Sequence, residues 1–100
     1  MSDLISLWKP EPDLVTHQAL GKSLEECGEL SKILARCLIQ GVNEVEPITL
    51  ALNKQELLKE IADVYAATTW LLEVLDDKLD EERVKRKLEG FRRWDKMLTE

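Results

Sequence analysis

The chain has 100 residues, 44% hydrophobic and 34% charged, with four Gly and three Pro, which fits one charge-rich globular domain with few turns and excludes a disordered tract. A net charge of −6 argues against binding nucleic-acid polymers, which takes a basic surface to displace counterions, but still allows a small anion held through a bound cation. No apolar run approaches the ~20 residues of a membrane span, and Met1-Ser2-Asp3-Leu4 lacks the basic start and long apolar core of a secretion signal.

Residues 1–12 read as an N-terminal extension carrying Trp8, Pro10 and Pro12, ahead of a helical domain over 13–100. Asp13 is placed to cap a helix running to Gln40, with Gly21 as a weak point and Gly41 as its stop. Leu20, Leu24, Cys27, Leu34 and Leu38 recur at helical steps and form a stripe that needs a partner. Cys27 falls on that stripe and reads as a small core residue. Cys37 lies on the same helix, about 15 Å from Cys27 at 1.5 Å rise per residue, so the expected state is reduced thiols in a cytoplasmic protein.

Gly41, Asn43 and Pro47 mark residues 41–52 as a connection, with a helical turn expected over 48–52. Asn53-Lys54-Gln55-Glu56 has the form of a capping box and opens a second helix reaching Leu75. Leu57, Ile61, Val64, Thr68, Leu71 and Leu75 give its packing seam. Asp76, Asp77 and Asp80 mark a turn, and a third helix starts at Glu81 and reaches Lys87 or Glu89. Gly90 is expected to break it before Phe91 and Trp94, which are expected to cap the core. The fold class is all-α. Such amphipathic helices leave one face of a bundle uncovered, which points to self-association.

The chemistry concentrates in two acidic clusters, Glu25-Glu26-Cys27-Gly28-Glu29 and Glu60-Ile61-Ala62-Asp63. On a helix Glu26 and Glu29 stand roughly 60° apart on adjacent turns, as do Glu60 and Asp63. Acids at this spacing repel one another, and a cation relieves that repulsion. An oxygen-only donor set of this kind suits Mg²⁺. A lone Glu-x-x-Glu is ordinary on an exposed helix face; here Leu24, Leu30, Ile61 and Val64 set the acids beside the packing seams. If the two helices pack antiparallel, the four carboxylates converge.

Lys22-Ser23-Leu24-Glu25-Glu26-Cys27-Gly28-Glu29-Leu30, followed by Leu58-Lys59-Glu60-Ile61-Ala62-Asp63-Val64, resembles the MazG-type all-α nucleotide pyrophosphohydrolases. That superfamily also holds dimeric dUTPases, dCTP pyrophosphatases and phosphoribosyl-ATP pyrophosphohydrolase, and its signature is Glu-Glu-x-x-Glu followed by Glu-x-x-Asp. The resemblance spans about residues 14–94, with a thirty-residue spacer between Glu29 and Glu60 that exceeds the commonest family length. Ala67 stands where dCTP-type members often carry Tyr.

The resemblance implies a helical bundle completed by oligomerisation, as a dimer or tetramer. It also implies that Glu26, Glu29, Glu60 and Asp63 hold Mg²⁺, with Mn²⁺ as a possible substitute, while Glu25 orients or deprotonates the attacking water. The implied reaction splits a nucleoside triphosphate between its α- and β-phosphates, releasing monophosphate and pyrophosphate.

Lys22 occupies the family's place just before the first motif and can also balance Glu25 or Glu26 at helical spacing. Trp70 lies two turns beyond Asp63 on the same stripe and is a candidate to stack on a base, although a Trp there packs more often in a core or interface. Lys85, Arg86, Lys87, Arg92 and Arg93 gather positive charge near the C-terminus; Lys87 and Arg92 are the candidates to meet the triphosphate, against pairing with Glu81, Glu82 and Glu89. His17 reads as structural or exposed. The lone His also excludes a ferritin-like di-iron site, which needs two Glu-x-x-His motifs. The competing function is a non-enzymatic helical interaction module whose acids only solvate the surface.

Overall fold

The computed structural model describes residues 7–100 and contains three helices: α1 Leu14–Gln40, α2 Asn53–Val74 and α3 Glu81–Thr99. The first six residues of the expected 1–12 extension lie outside the described residues, and the rest of it is exposed and without regular structure. α1 starts where Asp13 caps it: one carboxylate oxygen accepts the Thr16 amide at 2.9 Å and the Thr16 hydroxyl at 2.8 Å. The helix runs undisturbed through Gly21 and stops at Gly41, whose φ of 104° is open to glycine but strained for other residues.

The 41–52 connection departs from expectation. It forms no helical turn at 48–52; Val45 and Leu52 pair in an isolated antiparallel bridge, and the Glu46 carboxylate turns back onto the amides of Ile48 (3.0 Å) and Thr49 (2.6 Å). These charge-assisted bonds hold Glu46 below the ordinary glutamate range, the Thr49 amide contributing most. They also brace a turn in which Leu50 takes a left-handed φ of 62°.

Asn53 is not the N-cap of α2. Leu52 holds that position without a side-chain bond, and Asn53 is the first helical residue, fully buried. Its amide group reaches back to the Gly41 carbonyl at 3.0 Å and to Gln40 Oε1 at 3.5 Å, tying the end of α1 to the start of α2. The helical break expected at Gly90 does not occur, and α3 continues through it. Gly90 has helical neighbours on both sides and no steric demand that stops the ladder.

α1 and α2 pack together through small residues. Ala19, Ser23, Ile33 and Cys37 on α1 and Asn53 and Ala67 on α2 are the buried residues, and the Ser23 hydroxyl donates to the Ala67 carbonyl at 3.3 Å. The Leu20–Leu24–Leu34–Leu38 stripe lies about 90° around α1 from this contact and faces outward, with Leu24 75% and Leu38 87% exposed. Cys27 belongs to that outward face and is exposed, so it is not a core residue. On α2, Leu57, Val64, Thr68 and Leu71 are half-buried while Ile61 and Leu75 are exposed.

No Cα of α3 comes within 8 Å of α1 or α2. Phe91 and Trp94 therefore cap no core and stand exposed. The radius of gyration is 18.3 Å, against about 13 Å for a compact domain of this length. The chain is an α1–α2 hairpin with a projecting amphipathic arm. No helix of the described residues is long and apolar enough to cross a membrane.

Candidate metal centre

The close approach of α1 to α2 at Ser23 and Ala67 sets the position of the acids. Glu26 lies one turn beyond Ser23, and Asp63 one turn before Ala67, so the same contact brings both to the helix seam. Carboxylate oxygens of Glu26, Glu60 and Asp63 all fall within 4.8 Å of one another, and all three residues are half-buried. One half of the acidic pattern thus meets the other across two helices.

Glu60 carries the electrostatic mark of this crowding. Its carboxyl is held above the ordinary glutamate range, first by partial loss of solvent, then by the charges of Asp63, Glu26 and Glu29, with Lys59 opposing. The donor set fits Mg²⁺: all three groups offer oxygen, and octahedral ligands at 2.0–2.1 Å stand at most about 4.2 Å apart, near the bound within which these oxygens lie.

The other site candidates divide clearly. Glu29 is not part of the three-residue group; it lies across Glu60 in an adjoining cleft of about 160 Å³, lined also by Lys32, Ile33, Arg36 and Glu56. Glu25 is exposed and pairs with Lys22 at 3.3 Å. Lys22 and Trp70 share a shallow cleft of about 380 Å³ with Glu26, Asp63, Ala66 and Ala67, so both stand beside the acids. Trp70 is neither in a core nor free in solvent: its relative exposure is 38%. Lys87 and Arg92 sit on α3, apart from the acids of the same chain.

Lys32 and Arg36 are residues that the sequence reading passed over. They follow Glu29 at three and seven residues, and continuing the helical period past the motif would have placed them on its face. Ser23 and Ala67 were likewise missed, because their role is to be small where two helices meet.

Compared with known proteins, the chain matches no family model, no curated protein and no solved structure.

Proposed function

We propose that the chain is an Mg²⁺-dependent nucleoside triphosphate pyrophosphohydrolase of the MazG-like all-α superfamily. The observation that carries this reading is the meeting of Glu26 from the first acidic motif with Glu60 and Asp63 from the second. Two motifs thirty-odd residues apart in sequence converge on one point, which an acidic surface made only for solvation has no need to do.

In this reading Glu26, Glu60 and Asp63 hold the metal, with Glu29 completing the set from the flank. The cation supplies neutralisation of phosphate charge and a more acidic bound water. The chain's own groups do the rest. Glu25 takes a proton from the water whose oxygen bonds to the α-phosphorus. The bond from that phosphorus to the bridging oxygen breaks, and the electron pair leaves on pyrophosphate. Lys22, ion-paired to Glu25, orients that carboxylate and offers positive charge beside the phosphates. Trp70 provides a ring at the edge of the same cleft for the base.

The working unit in this proposal is a homo-oligomer, dimer or tetramer. The outward Leu stripe of α1 and the exposed Val84, Leu88, Phe91 and Leu98 on α3 are apolar faces that a second copy would cover. Lys87 and Arg92 then reach a triphosphate only across the subunit boundary. The free thiols Cys27 and Cys37 agree with a reducing, cytoplasmic setting.

The test is pyrophosphate release from a panel of ribo- and deoxyribonucleoside triphosphates, with Mg²⁺ and with EDTA. Release that needs the metal and vanishes in Asp63→Asn is the expected result; a folded protein that releases none refutes the proposal. The same exposed apolar faces favour a second reading, a helical interaction module. Such a module gains no thermal stability from Mg²⁺ or Mn²⁺, whereas a metal site does.

A further inference from the structure

Lys32 and Arg36 stand one turn apart on α1, and the cleft that holds them opens directly off Glu29 and Glu60. Arg36 also lines the next cleft, of about 370 Å³, with Glu46, Ile48, Thr49, Ala51 and Glu56. The two clefts adjoin at Arg36 and Glu56, and together the groove they make leads from the carboxylates toward the 41–52 connection.

No carboxylate in this groove forms a direct ion pair with either cation, although the Arg36 charge adds to what holds Glu46 below the ordinary glutamate range. Among the described residues the ion pair is Lys22–Glu25, and neither Lys32 nor Arg36 enters one. Glu46 lines the second cleft with Arg36, and its Oε2 accepts the amides of Ile48 and Thr49. Glu29 and Glu60 line the same cleft as Lys32 and Arg36, and Glu60 also belongs to the acidic cluster. A guanidinium and an ammonium on successive turns, in a cleft that also holds Glu60 of the acidic cluster, form a ladder suited to two linked phosphates. The remaining acids, Glu29, Glu56 and Glu60, would repel an anion that arrives without the metal.

We propose that Lys32 and Arg36 form a diphosphate subsite, which receives the pyrophosphate end of the substrate and directs it along α1 toward the 41–52 connection. The proposal rests on the metal-dependent hydrolase reading for its substrate, and its direction is opposite to the cleft of Lys22 and Trp70, which takes the nucleoside end. It also gives the long connection a purpose: the turn braced by Glu46 closes the far end of the groove.

Calorimetric titration of the full chain with inorganic pyrophosphate, in Mg²⁺ and in EDTA, tests this directly. The expected result is binding in Mg²⁺ only, weakened about tenfold by each of Lys32→Gln and Arg36→Gln and about a hundredfold by both. The thermal shift given by Mg²⁺ alone should stay at the parent value, and Lys54→Gln, which removes the same charge outside the groove, should bind as the parent does. Arg36→Lys should recover part of the loss. Parent protein that does not bind pyrophosphate, or a double variant that binds within twofold of the parent or no worse than Lys54→Gln, overturns the subsite. Binding that depends on Lys32 and Arg36 in a protein that hydrolyses no nucleotide keeps the subsite and refutes the hydrolase reading alone.

Discussion

Ala67→Leu separates the packing argument from the chemical one. Ala67 is 9% exposed, its carbonyl takes the Ser23 hydroxyl, and it lies one turn beyond Asp63. A Leu side chain there adds three carbons at a buried point of the α1–α2 contact. Overpacking of this kind costs about 1–3 kcal/mol; at 4–8 °C per kcal/mol for a domain of this size, the thermal midpoint should fall by about 4–24 °C. The effect on the site is geometric. The oxygens of Glu26, Glu60 and Asp63 lie within 4.8 Å of one another, near the about 4.2 Å that opposite Mg²⁺ ligands span. Moving the helices apart carries Glu26 on α1 away from Glu60 and Asp63 on α2 and should weaken the Mg²⁺ shift. Thermal unfolding in EDTA and in Mg²⁺ reads both effects, with Ala62→Leu on the exposed face as control. A variant that melts like the parent in EDTA refutes the packing argument. One that is destabilised yet keeps the full Mg²⁺ shift refutes the claim that this contact positions the acids.

Other expectations follow from the same geometry. Because the folded state holds the Glu60 proton more tightly than the unfolded chain does, this group costs stability at neutral pH, and the cost disappears as pH falls through its raised value toward the ordinary glutamate range near ~4.3. Metal-free Glu60→Gln should therefore melt above the parent at pH 7 and level with it near pH 4. Asp13 and Glu46 carry lowered values and contribute the opposite slope in both proteins, so an unchanged difference between variant and parent across that range would exclude the Glu60 effect. Asn53→Ala removes the bonds to Gly41 and Gln40 and should cost about 1–3 kcal/mol; denaturant unfolding checks this, and a midpoint within error of the parent contradicts it. Leu24→Lys combined with Leu38→Lys should shift sedimentation toward the monomer without unfolding α1. A parent protein that is monomeric at assay concentrations rules out assembly through that stripe.

The helices themselves were legible in the chain. Asp13 and Gly41 bound α1 because capping and the left-handed stop are local, needing only a few neighbouring residues. The acidic motifs were legible for a related reason: helical spacing alone puts Glu60 and Asp63 on one face. Where local signals competed with distant ones, the reading slipped. The capping-box pattern at Asn53 is genuine as a pattern, but its side chain finds a better-buried partner at Gly41, twelve residues back. The Leu stripe of α1 is apolar and periodic, yet the helix buries its Ala19–Ser23–Ile33–Cys37 face instead, where three of the four side chains are small.

By itself, then, the sequence determined an all-α chain, the start and stop of α1, and which acids share a helix face, since all of these depend on contacts within a turn or two. Tertiary structure alone decided that Glu26, Glu60 and Asp63 meet while Glu29 stands aside, that Lys32 and Arg36 share a cleft with Glu29 and Glu60, and that α3 leaves its own hairpin uncovered. Those facts depend on how far apart two helices pack and how each is rotated about its axis, and periodicity fixes neither when a helix offers two apolar faces.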